Sequence, residues 1–292
     1  MAFSSRSTSQ RPNRTIYRSE AGRNAIATWC TAQLGAWPVP HERQVVTAAG
    51  APTHLVTAGS GDHTVLVLPG TTFCAAAYLP LGTALAARTR VVLPDLPGQP
   101  GLSGAARVPS ADKLGWYGRW LAQLVDQVTD GPVTILGHSL GGAIALSCDA
   151  PRVHRQVLVS PAGLTRLRLP PRVIIAFTDW ILRRQPAASA HLLRLLHGAG
   201  HAPRPELVEW MTLVARHVRS TRDPGHAAVA AQDIERTVVV GADDVFLPAH
   251  ALAPVVLRTL CVPLDVMASA GHLIVDEFPD RLAELASGHG KQ

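Results

Sequence analysis

Short runs of branched aliphatic residues, set off by glycine, proline or small polar residues, punctuate the chain at Thr64–Leu68, Val133–Leu136, Gln156–Ser160 and Thr237–Val240. Runs of this length and composition predict buried strands. A further run, Val262–Met267, precedes an amphipathic stretch from about Pro279 to Ala286 that reads as a closing helix. Before the first run, Gln44–Thr47 and Thr53–Val56 form a candidate strand pair around a turn at Gly50. Between Pro161 and Gln232 the regular strand and helix alternation stops. Pro170-Pro171 marks a break, and Val173–Leu182, Ala190–Leu196 and Glu206–Arg219 follow as helical segments. Near the N-terminus, Ser19–Gly35 predicts a helix capped by Ser19, with Ile26, Trp29 and Leu34 buried, and Trp37-Pro38-Val39-Pro40 is an extended linker. Residues 1–14 are rich in Ser, Arg and Gln and are expected to be disordered.

Chemistry enters at Gly137-His138-Ser139-Leu140-Gly141, which lies between the run Val133–Leu136 and the small-residue helix Gly142–Leu146. A strand that turns sharply into a helix needs neighbours almost without side chains, and glycines bracket the serine. Such an elbow pushes the Ser139 hydroxyl toward a cleft. It also aims the Leu140 N–H, at a helix start, where a developing oxyanion would sit.

A serine hydroxyl needs a base, and the base needs an orienting acid. The run Thr237–Val240 ends in Gly241-Ala242-Asp243-Asp244, a loop that offers a carboxylate. The run Val262–Met267 leads into Ala268-Ser269-Ala270-Gly271-His272. His272 is singled out among the 13 histidines because it follows a final strand and an Ala-Gly turn. Asp265, Asp276 and Asp280 are weaker acid candidates, inside a strand or after the histidine. His138, within the elbow, is expected to pack or adjust the cleft and not to act as the base. The chain order serine, acid, histidine separates this arrangement from other serine-triad architectures.

On these residues the chain resembles the α/β-hydrolase superfamily, close to its serine esterase and lipase-like members with a helical cap, from about Gln44 to the C-terminal helix. The resemblance implies an α/β fold with a mostly parallel central sheet, helices on both faces and a helical cap insertion. It divides the chain into an N-terminal tail and packing helix (1–40), a core (41–160 and 233–292) and a cap (161–232). The family's Gly-x-x-Asp loop selects Asp244, with Asp243 as a solvated neighbour; the reverse assignment is the alternative. The second oxyanion donor is the Thr71 amide, in the loop Pro69-Gly70-Thr71-Thr72-Phe73. Many relatives begin this loop His-Gly, so this chain lacks one loop-positioning imidazole. The segment Asp95-Leu96-Pro97-Gly98-Gln99-Pro100-Gly101-Leu102-Ser103 is similar to the superfamily's Asp-x-x-Gly-x-Gly-x-Ser loop, lengthened by one residue, and is expected to support the site from below. The leading helix and Trp-Pro linker are similar to those of some bacterial esterase-like members and are expected to pack without a chemical role.

The activity so implied is hydrolysis of a carboxylic ester through Ser139, His272 and Asp244, with no cofactor. A thioesterase, lactonase, carbon–carbon bond hydrolase or cofactor-free perhydrolase on the same triad, and a non-enzymatic ligand receptor of the same fold, remain open. A serine at the elbow excludes the branches that need Asp there. Phe177, Trp180, Trp210, Met211 and Leu213 either line the underside of the cap or pack within it.

Composition adds limits. With 292 residues, 47% of them hydrophobic, the chain can fill one large core and still spare a lid. Its four cysteines (Cys30, Cys74, Cys148, Cys261) show no paired spacing, which points to core-filling thiols and away from a disulfide framework or zinc site. No run is long and apolar enough to span a bilayer, and the polar start lacks a signal-like apolar segment, so a cytoplasmic protein is expected. The net charge of +6 invites a nucleic-acid partner, but the distribution does not: about a dozen arginines fall between Arg152 and Arg222, against the acids Asp179, Glu206 and Glu209. A solvated arginine face is the first reading, and a basic lid drawing acidic substrates the second. The expected partner is a small ester or acyl molecule, with no nucleic acid and no membrane span.

Overall fold

The structure, a computed structural model, describes residues 15–109, 111–219, 225–230 and 234–288. The expectation of disorder for residues 1–14 lies outside the described residues. The aliphatic runs build one sheet of β1 (His41–Ala48), β2 (Ala51–Ala58), β3 (Thr64–Leu68), β4 (Arg90–Pro94), β5 (Val133–His138), β6 (Val153–Val159), β7 (Glu235–Gly241) and β8 (Leu264–Met267). The spatial order is β1-β2-β4-β3-β5-β6-β7-β8. The first hairpin pairs His41 with Ala58 through to Ala48 with Ala51, and β2 runs antiparallel to β4. All other pairs are parallel. Every residue of β3 and β5 is buried, as expected of central strands covered on both faces. From β3 the chain goes to β4 on one side, and from β5 to β6 on the other. A crevice therefore opens at the carboxyl ends of β3 and β5, the usual ligand position in such sheets.

Helices α1 (Glu20–Ala36), α2 (Leu79–Ala86), α3 (Lys113–Val128), α4 (Leu140–Leu146), α5 (Pro171–Arg183), α6 (Pro186–Leu196), α7 (Pro205–His217), α8 (Ala249–Leu260), α9 (Ile274–Glu277) and α10 (Pro279–Ser287) complete the fold. Against the sheet, α3 packs on α4, and α2 packs on α10. The α3 helix starts at Asp112, whose carboxylate accepts the Gly115 amide, and buries Leu114, Tyr117, Leu121, Leu124 and Val128 at helical spacing. Helices α2, α3 and α8 lie in stretches that the sequence pattern left unassigned. Helices α5, α6 and α7 form an insertion between β6 and β7 and pack on one another.

The N-terminal arm does more than cover the sheet. Ser19 accepts the Gly22 amide at 3.1 Å, and Ile26, Trp29 and Leu34 are buried as the spacing predicts. Trp29 lies against Trp210 of α7, ring centroids 4.8 Å apart, and its indole N–H donates to Glu209 at 3.0 Å. The arm thus supports the insertion. Cys30, Cys74 and Cys148 are buried free thiols. Cys261 departs from the core-filling expectation: it is exposed, in the left-handed position that ends α8. Among the described residues no helix is long and apolar enough to cross a membrane.

Candidate active site

The turn from β5 into α4 holds Ser139 at φ 50°, ψ −110°, outside the regions an L-residue ordinarily occupies. The surroundings enforce it. The Ser139 carbonyl accepts amides from Gly142, Ala143 and Ala162, and the Ser139 amide donates to Val159. A Cβ on Gly141 would sit 2.1 Å from the Leu68 carbonyl oxygen, and one on Gly137 2.6 Å from that of Gly141. Both bracketing glycines are therefore required by close backbone approach. Leu140 carries the first amide of α4, and Thr71 follows the buried Gly70 after β3. Neither amide has an acceptor among the described residues.

From the loops after β7 and β8 come the acid and the imidazole. His272 Nε2 lies 3.2 Å from Ser139 Oγ, and His272 Nδ1 lies 2.9 Å from Asp244 Oδ2. With the Nδ1 proton donated to the carboxylate, Nε2 is left to accept from the serine hydroxyl. The other Asp244 oxygen accepts the amides of Phe246 at 2.9 Å and Leu247 at 3.0 Å. Burial alone would raise the Asp244 pKa, but the His272 charge and these hydrogen bonds bring it down to about 2. The acid therefore stays ionised. The Phe246 ring packs edge-on against the imidazole at 4.8 Å.

The remaining sequence candidates take other places. Asp243 is exposed and accepts the Ala199 amide at 2.9 Å, so it is more than a solvated neighbour. Asp265 is exposed on β8. Asp276 is engaged by His197 at 3.3 Å and by Arg204. His138 is buried: its Nε2 donates to the His272 carbonyl at 2.9 Å and its Nδ1 accepts from the Tyr78 hydroxyl. Burial, reinforced by the neighbouring His272 charge, pushes the His138 pKa down to about 3, so this ring is neutral at ordinary pH.

The same Tyr78 oxygen accepts the Gly70 amide at 2.9 Å. A chain of hydrogen bonds thus runs from the Gly70–Thr71 loop through Tyr78 and His138 to the His272 backbone. Below the loop, Gln99 accepts the Thr72 amide at 2.9 Å, and Asp95 accepts Ala75 and Leu102. From above, the Trp210 indole donates to the Thr72 carbonyl at 3.0 Å. Gln99 lies in the Asp95–Ser103 segment expected to support the site from below. Tyr78 and Trp210 belong to no motif, and only the folded loop shows what they hold.

The alpha/beta hydrolase family model matches residues 65–285, which include the serine, the acid and the imidazole. The chain belongs to the alpha/beta hydrolase family. Solved structures similar to this hydrolase include carboxylesterase CesB from Bacillus subtilis (TM-score 0.75, 18% identity, covering 93% of this chain and 100% of that one). Naproxen esterase from Bacillus subtilis is similar to the same degree (TM-score 0.75, 17% identity, 94% and 100%). Lipase LipV of Mycobacterium tuberculosis is 39% identical over 82 residues. That match covers 24% of this chain and 29% of the lipase, so it spans under a third of the relative.

In this hydrolase the site opens into a cavity of about 370 Å³. Ser139, His272, Thr71 and Thr72 line one part of it, and Leu167, Leu169, Ile181, Val214 and Phe246 contribute apolar wall. Of the aromatic and apolar candidates in the insertion, Phe177, Trp180 and Met211 line the cavity. Trp210 packs on Trp29 instead, and Leu213 is half-buried outside the lining.

Proposed function

We propose that this hydrolase cleaves carboxylic esters by acyl transfer through Ser139. The observation that carries the reading is the linked geometry of Ser139, His272 and Asp244 beside two unpaired backbone amides and an apolar cavity. As the Ser139 oxygen attacks the ester carbonyl, His272 Nε2 takes its proton, and Asp244 holds the tautomer and stabilises the imidazolium. The amides of Leu140 and Thr71 donate to the oxyanion of the tetrahedral adduct. The adduct collapses, the alkoxide leaves as the alcohol with the proton from His272, and an acyl-serine remains. Water, deprotonated by the same nitrogen, attacks the acyl carbon; the second adduct releases the acid and returns the proton to Ser139.

The insertion acts as a cap in this reading, since Phe177, Trp180 and Met211 supply part of the apolar wall that receives the acyl or alcohol group. The lipase and carboxylesterase relatives agree with an ester substrate. The test is hydrolysis of a panel of short- and medium-chain p-nitrophenyl esters, with matched thioesters and lactones. We expect esters to be the best substrates, with turnover lost in Ser139→Ala. Undiminished ester turnover in that variant would overturn the proposal, and a clear preference for another acyl class would redirect it.

A further inference from the structure

Two arginines occupy the lining of the cavity that Ser139 and His272 share. Arg18 and Arg219 are, with His272, its titratable members among the described residues apart from the neutral, buried His138, and no carboxylate contributes to the wall. They come from distant parts of the chain brought together by backbone pairing. Tyr17 bridges antiparallel to Val218, the Arg18 amide donates to the His217 carbonyl at 2.8 Å, and the Arg219 amide donates to the Ile16 carbonyl at 2.8 Å. In extended backbone, residues flanking a paired position point to the opposite side from it, so Arg18 and Arg219 project to one side of this short ribbon.

Both arginines are exposed. Among the described residues no carboxylate lies within ion-pair distance of Arg18, Arg219 or the neighbouring Arg184. Desolvation of its partly covered side chain, together with repulsion from Arg184 and Arg219, lowers the Arg18 pKa. The Arg219 Nε donates to the Tyr17 carbonyl at 3.2 Å, which orients the guanidinium and, among the described residues, leaves its terminal amino groups for another acceptor. Like charges gathered beside an apolar cavity gain most from an oxyanion, which accepts charge-assisted hydrogen bonds from both.

We infer that Arg18 and Arg219 form an anion subsite, and that the substrate is an ester whose apolar body carries a carboxylate or phosphate-type oxyanion apart from the reacting carbonyl. This deepens the ester-hydrolase reading and rests on it for the identity of the reacting bond. It gives a role to Arg18, just before the helix that is expected only to pack, and takes one residue, Arg219, from the basic stretch behind the basic-lid reading.

The test compares three p-nitrophenyl esters of one chain length, ending in a methyl, a carboxylate and a phosphonate, on the full-length protein. Native protein is expected to favour the anionic chains in kcat/KM, mainly through KM. Arg18→Gln and Arg219→Gln should each reduce that preference roughly tenfold, with a smaller effect on the neutral ester. Arg219→Lys, which keeps the charge, should retain more of it than Arg219→Gln, and the ranking of carboxylate against phosphonate identifies the anion. A parallel calorimetric titration of Ser139→Ala with the intact carboxylate and methyl esters reads binding without turnover. Tighter binding of the carboxylate ester, lost on adding Arg18→Gln, supports the subsite even if ester hydrolysis itself fails. Equal binding of the two esters, or variants that weaken both alike, would overturn it while leaving the ester reading intact.

Discussion

Asp243 accepts the amide hydrogen of Ala199 at 2.9 Å, so one of the two adjacent acids after β7 is engaged with the helical insertion. Its neighbour Asp244 faces His272 instead. The pair therefore divides its work, and single substitutions should separate the two roles. Asp244→Asn is expected to lower kcat on esters by ~10³–10⁴, because the imidazole loses its orienting acceptor. Asp243→Asn should change kcat by less than about threefold, since an exposed contact of this kind contributes little. Steady-state kinetics of the two variants decide the matter, and the reverse ranking would move the acid to Asp243.

Tyr78 supplies a second prediction. It bonds the Gly70 amide and the His138 ring at once, so Tyr78→Phe leaves a buried donor and a buried acceptor unsatisfied. The expected cost is ~1–3 kcal/mol of stability per group. Because Gly70 fixes the loop that presents the Thr71 amide, kcat should fall by about tenfold with KM little changed. Denaturant melts and kinetics on the same preparation test both parts. A stability loss with unchanged kcat would make Tyr78 a packing residue alone.

The insertion is tied to the histidine loop through titratable groups, which gives its docking a pH dependence. Buried His197 contacts Asp276, and Arg204 engages the same carboxylate. Burial disfavours the charged form of each group. For His197 the Asp276 hydrogen bond and the charges of Asp276 and Glu277 prevail, raising its pKa above 6.5. For Asp276 the contacts with His197 and Arg204 prevail, lowering its pKa below 3.8. A raised imidazole pKa stabilises the fold fully below its unfolded value and loses that contribution as pH climbs through the folded value. A depressed carboxyl pKa contributes above its unfolded value and loses that as pH falls. The link should thus be strongest between about pH 4 and 6.5 and weaken at higher pH. We expect the melting temperature to decline on this alkaline side in native protein and to decline less in His197→Gln. Parallel curves would remove His197 from the account.

The elbow glycines make a steric prediction. With 2.1 Å between a Cβ at position 141 and the Leu68 oxygen, Gly141→Ala forces α4 away from β3. The variant should lose ~3 kcal/mol or more, or fail to fold, as measured by chemical denaturation. Near-native stability would show that the turn relaxes more easily than the packing allows.

The legible parts of the chain were those where local pattern and tertiary burial coincide. β3 is readable because all five residues, Thr64–Leu68, are apolar or β-branched and all are buried. Ser19 is readable as a cap because its side chain acts on the next turn. The α3 helix escaped because Gly115, Trp116, Tyr117 and Trp120 dilute its apolar spacing with residues of weak helix preference, while burial against α4 decides the outcome. Ser139 and His272 could be picked from strand–loop context, Asp244 over Asp243 only through the resemblance to the family's loop, and the fold brings Ser139, His272 and Asp244 within hydrogen-bond reach. Their supports were hidden. The loop Pro69-Gly70 lacks the histidine that many relatives carry, and no local signal says that Tyr78 and His138, 60 residues apart, form the strut behind it. Arg18 and Arg219 were equally invisible, because their pairing depends on a bridge between Tyr17 and Val218.

Reaction with a fluorophosphonate probe, followed by peptide mass spectrometry, tests the central claim most directly. A hydroxyl activated by His272 and flanked by two amide donors should be phosphonylated at Ser139 alone. Labelling should vanish in Ser139→Ala and fall steeply in His272→Ala. Equal labelling of Ser139→Ala, or a modified residue elsewhere in the native chain, would contradict the account.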